Sequence, residues 1–65
     1  MSLFLPEKWV YVTFKGGERI NVANTDTLTR EEAEKFRDQW ERSRKKKVIQ
    51  VELEDRQGTW ALYTF

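Results

Sequence analysis

A chain of 65 residues makes one domain, and a domain of this size hides only about 60% of the surface its unfolded chain exposes. It contains no cysteine and no histidine, which excludes disulfide staples and the usual zinc and haem ligand sets, so stability must come from packing or from a partner subunit. Twelve Lys and Arg face eleven Asp and Glu for a net charge of +1, short of the overall basic excess of a dedicated nucleic-acid binder.

Residues 1–7 read as an N-terminal arm: Leu3, Phe4 and Leu5 are apolar and Pro6 ends regular structure. The opening MSLFLPEK lacks the basic start and the apolar length of a signal peptide, and no later run is long enough to span a membrane. A cytoplasmic location without membrane attachment is the expectation.

Residues 8–65 read as a single domain of order β-β-α-β-β. In KWVYVTF, Val10, Val12 and Phe14 alternate with Trp9, Tyr11 and Thr13, the period of a strand. Gly16-Gly17 supplies the positive φ angles of a tight hairpin turn. The return strand places Ile20 and Val22 on one face. A helix is predicted from near Thr29, because Thr29 and Glu32 have the spacing of a capping box. Ala33, Phe36 and Trp40 line its apolar stripe. A second hairpin follows, with Ile49, Val51 and Leu53 on one face, a turn at EDRQG with Gly58 in the left-handed position, and Trp60 and Leu62 inward on the last strand.

One helix covers only one face of a four-stranded sheet, so the predicted fold class is α+β, with a mainly antiparallel sheet. Two strand orders fit. A crossover of the helix over β1 gives 2-1-3-4 with every pair antiparallel; a central β1–β4 contact would make that pair parallel.

Catalysis has little to draw on. The commonest general base and the most nucleophilic side chain are both absent, and the helix carboxylates read as a solvated surface. Glu52, Glu54 and Asp55 suit solvent better than a metal. The expectation is a protein that is not an enzyme and uses no metal or cofactor.

Two features point to binding. The alternation places Trp9, Tyr11, Tyr63 and Phe65 on the outer sheet face, away from the helix, as a surface for a homodimer or another protein partner. The run RSRKKK places Arg42, Arg44, Lys45, Lys46 and Lys47 at the helix C-terminus. Cations there complement the helix dipole, and they are also candidate phosphate contacts for nucleic acid. The helix is expected to stay regular through residues 42–44 and to fray over 45–47, since no Gly or Asn follows to form a left-handed cap. The sequence reading is therefore a small protein–protein interaction module, homodimeric through an aromatic sheet face, with nucleic-acid binding as the alternative.

Overall fold

The computed structural model describes residues 8–65; the predicted arm, residues 1–7, lies outside the described residues. The elements run β1 (Trp9–Phe14), β2 (Arg19–Asn24), α1 (Arg30–Arg44), β3 (Val48–Asp55) and β4 (Gly58–Thr64). The strands form one sheet in the order β2-β1-β3-β4, with every neighbouring pair antiparallel. This is the first of the two orders the sequence permits. The helix lies on one face, against β3 and β1.

The core follows from β1. Val10, Val12 and Phe14 point toward the helix and are fully buried, with Val48, Val51 and Leu53 of β3 beside them and Ala33 of α1 above. Burying each large side chain in this set contributes about 1.5–3 kcal/mol. Leu28, in the loop before α1, closes the cluster. Sequence periodicity gave no sign of Leu28, because it belongs to neither a strand nor the helix. Phe36 and Trp40 pack against the core from the helix but stay half-buried.

Three bulges decide which side chains join this core. The pairing along β1 and β2 passes from Tyr11↔Asn21 to Val10↔Ala23, leaving Val22 as an extra residue. Between β1 and β3 it passes from Thr13↔Gln50 to Phe14↔Val48, leaving Ile49 extra. Between β3 and β4 it passes from Glu54↔Thr59 to Leu53↔Ala61, leaving Trp60 extra. Each extra residue turns everything beyond it to the opposite face. Val48 thus replaces Ile49 as the inward residue facing Phe14. On β4 the expected inward pair, Trp60 and Leu62, is exposed, while Ala61, Tyr63 and Phe65 pack on the core. The first bulge is held by the Asn21 side chain, whose Nδ2 donates to the carbonyls of Val10 at 3.1 Å and Ala23 at 3.2 Å.

The turns and the helix start match their sequence signals. Gly16 and Gly17 have φ of 107° and 102°, and Gly17 N–H donates to the Phe14 carbonyl at 2.9 Å. At the second turn, Asp55 Oδ1 accepts from Gln57 N–H at 2.7 Å and Gly58 N–H at 3.2 Å. Thr29 Oγ1 accepts from Glu32 N–H at 3.1 Å, and Glu32 Oε1 accepts from Thr29 N–H at 2.8 Å, completing the capping box. Those bonds, the Thr29 backbone donor foremost, hold the Glu32 carboxyl below its usual pKa.

The helix end departs from expectation. Residues 42–44 are helical, but Lys45 then adopts a left-handed cap, φ 55° and ψ 39°, with its N–H on the Glu41 carbonyl at 2.7 Å. That backbone is strained for a residue with a Cβ. Glu41 stabilises it twice, since its carboxylate also accepts from Val48 N–H at 2.9 Å. One side chain thereby fastens the end of α1 to the start of β3; α1 stops at Arg44 and β3 starts at Val48 as expected, and what differs is the left-handed cap between them.

Candidate interaction surfaces

Three exposed regions have distinct chemistry, and each is positioned by the sheet.

The outer sheet face carries Trp9 and Tyr11 but neither Tyr63 nor Phe65. The bulge at Trp60 sends those two to the helix side, correcting the placement expected from plain alternation. There the Tyr63 hydroxyl donates to the Leu28 carbonyl at 3.0 Å, tying β4 to the loop before α1. The Arg30 and Arg37 guanidiniums of α1 lie 5.6 and 4.6 Å from the centre of the Phe65 ring.

In place of an aromatic platform, the middle of the outer face holds a charged clamp. Arg19 of β2 stacks on Tyr11 of β1, 3.8 Å from the ring centre. Its guanidinium reaches across β1 to Glu52 at 3.0 Å and to Glu54 at 2.7 Å on β3. Gln50 Nε2 also donates to Glu52 Oε1, at 3.4 Å. Hydrogen bonding to Glu54 is the main reason the Arg19 pKa is pushed up. Glu52 is the one buried charged residue among those described, at 8% exposure, and a carboxylate so placed must be paired. The clamp was legible in part: the hairpin register puts Arg19 diagonally from Tyr11. What the alternation could not show is that β3 would lie on the other side of β1.

The free edge of β4 is the second region. β4 and β2 are the two outer strands of the sheet. Both outer strands carry a bulge, but β2 also carries Arg19, Asn21 and Asn24, whereas β4 contains no charged residue. Phe65 N–H donates inward to the Ile49 carbonyl at 2.9 Å. Strand alternation then turns the peptide groups of Thr64 and Leu62 toward the open edge. Leu62 is 51% exposed and Trp60 59% exposed. Trp60 sits at the far end of the strand, with Lys8 Nζ 4.5 Å from its ring centre. Its side chain also hydrogen-bonds Asp55.

The basic end is the third region. Lys15 N–H donates to the Lys47 carbonyl at 2.8 Å, so the β1–β2 turn lies directly beside the junction of α1 and β3. The cations of the RSRKKK run divide here. Arg44 spreads over the core rim, 5.9 Å from the Phe14 ring centre and 5.8 Å from that of Trp40, and pairs with Glu18 at 3.1 Å. Lys46 reaches the other oxygen of Glu18 at 3.5 Å. Among the described residues, Arg42, Lys45 and Lys47 have no acidic partner, and neither does Lys15. Arg42 also borders an open depression on the solvent side of α1, with Lys35, Asp38, Gln39 and Ser43.

The carboxylates considered for a metal have other work. Glu52 and Glu54 engage Arg19, and Asp55 closes the second turn. Desolvation opposes ionisation of Asp55, but its bonds from Gln57, Trp60 and Gly58 together pull its pKa below the ordinary value. Among the described residues no group of three His, Cys, Asp or Glu could hold a metal ion, and no helix is long and apolar enough to cross a membrane. Comparison of the chain with protein-family models, with curated proteins and with solved structures finds no match.

Proposed function

We propose that this protein is a non-enzymatic protein–protein interaction module that pairs with a second copy of itself, edge to edge through β4. The observation that carries this reading is the uncharged outer strand with Leu62 half-exposed and its peptide groups turned to the open edge. Beyond the bulge at Trp60, an outer strand without charges is a template for another strand. Antiparallel β4–β4 pairing about a two-fold axis satisfies the backbone groups of both copies, buries the same patch on each, and continues the sheet across the dimer. Leu62 falls on the outer face, opposite Glu52 and in line with Tyr11, so the paired strands extend the Trp9 and Tyr11 surface across the joint.

Sedimentation equilibrium at micromolar concentration should give twice the 7.9 kDa mass of one chain. Leu62→Lys should return the protein to monomer while leaving its circular dichroism unchanged, since the side chain is already half in solvent. A wild-type monomer at every accessible concentration rejects self-pairing. A dimer that survives Leu62→Lys unchanged moves the interface away from β4.

A further inference from the structure

We propose that the basic end, built by the β1–β2 turn and the α1–β3 junction, is a docking site for the phosphate backbone of a nucleic acid, and that Glu18 competes for it from within the chain.

A helix C-terminus gains from one or two nearby cations, and Arg44 already serves there while covering the rim of Phe14 and Trp40. The left-handed cap is held by Glu41 rather than by any lysine side chain. Lys15, Arg42, Lys45 and Lys47 therefore remain without a structural task, and two separate segments deliver them to one end of the sheet. The Lys15–Lys47 backbone bond fixes that convergence. The Gly16-Gly17 turn beside it presents no side chain, and an added Cβ would meet nothing within 4 Å, so a bulky strand can approach closely.

The class of ligand follows from what this end lacks. The exposed apolar residues Trp60 and Leu62 lie on β4, and Trp60 is near the opposite end, beside Asp55 and Lys8. Among the described residues, the basic end thus has no apolar wedge for a membrane. Long, mobile lysines without a groove give little purchase on a single acidic peptide. They suit a ligand of high linear charge density, where each neutralised phosphate releases counterions. Contacts of this kind carry little sequence information.

Glu18 makes the proposal specific. Its two oxygens hold Arg44 at 3.1 Å and Lys46 at 3.5 Å, where phosphate oxygens would otherwise bind. Removing its charge releases Lys46 to the ligand and lowers the local negative potential.

The test is fluorescence anisotropy of labelled oligothymidine and of a mixed-sequence duplex, titrated with the full chain at low salt. Both probes should bind, and raising the salt fourfold should weaken binding by about a hundredfold if some four phosphates are neutralised. Replacing Lys45, Lys46 and Lys47 together by Ala should weaken both probes at least about tenfold and flatten the salt dependence. Glu18→Gln should tighten binding several-fold. Circular dichroism of each variant confirms that it is folded. Absence of binding by the wild-type chain at low salt overturns the proposal, as does binding that the triple replacement leaves intact. Polyglutamate or anionic vesicles that displace the oligonucleotides at equal charge concentration would show that the partner is not nucleic acid. Weaker binding by Glu18→Gln would show that Glu18 organises the site and does not compete for it.

Discussion

β1 and β4 carry similar alternating patterns, yet one keeps its expected faces and the other reverses them. β1 is flanked on both sides, and all three of its inward residues are fully buried. β4 has one neighbour. Its turn begins in plain register at Asp55↔Gly58 and Glu54↔Thr59, which would place Trp60 opposite Leu53 and Leu62 opposite Val51. One extra residue at Trp60 brings Ala61 and Tyr63 to those places instead. The lesson is that hydrophobicity does not rank the two faces of an outer strand. Tyr63 offers the buried side a ring and a hydroxyl that finds the Leu28 carbonyl, whereas Trp60 finds Lys8 and Asp55 at the sheet's end.

The contrast can be broken most severely at β1. Phe14→Ala should cost about 4 kcal/mol in urea unfolding, because the cavity lies under the helix, whereas Leu62→Ala should stay within about 0.5 kcal/mol when measured on monomer. Comparable losses would mean that β4 is as central as β1. Deleting Trp60 addresses the reversal itself. With that extra residue gone, Ala61 and Tyr63 still fall opposite Leu53 and Val51 in plain register, so the Tyr63 ring should keep its nuclear Overhauser contacts to Leu28; their loss would mean that Trp60 itself, and not the strand pairing, sets the face. Tyr63→Phe is gentler and should cost about 1 kcal/mol, the worth of one part-buried hydrogen bond.

The smallest effect is a matter of pH. Asp55 and Glu32 both ionise more readily in the folded chain than unfolded, so the unfolded state binds protons first as the solution is acidified. The stability they add is complete above the unfolded carboxylate range and declines as pH falls below about 4. Asp55→Asn should flatten part of that decline in the urea midpoint. An unchanged acid profile would show that the second turn is indifferent to the charge.

Much of the architecture was legible because it rests on local chemistry. Gly16-Gly17, the Thr29–Glu32 box and the apolar stripe on α1 each act within a few residues, and each appears as expected. The bulges were not legible, since they arise from matching strands distant in sequence. Val22, Ile49 and Trp60 look like ordinary members of an alternation until their partners are known. The surfaces suffered accordingly. Trp9 and Tyr11 stand where the pattern puts them, but the Arg19 clamp on Glu52 and Glu54 depends on β3 lying beside β1, and the exposed Leu62 depends on the bulge. The extent of the helix was legible but its cap was not, for a similar reason: the missing glycine was visible, whereas the Glu41 carboxylate that compensates for it acts through Val48, seven residues on.

The position of β1 between β2 and β3 also shapes how the chain must assemble. Its bond to β2 closes a short loop and can form early. Its bond to β3 must wait until the whole of α1 has been made, and the entropy of closing that longer loop is lost before any contact offsets it. Until then Val10, Val12 and Phe14 are held together by the hairpin with their apolar side uncovered. A growing chain would pass through a stage in which its most insoluble strand is ordered but bare, and aggregation during synthesis should depend on how quickly Val48–Asp55 follows.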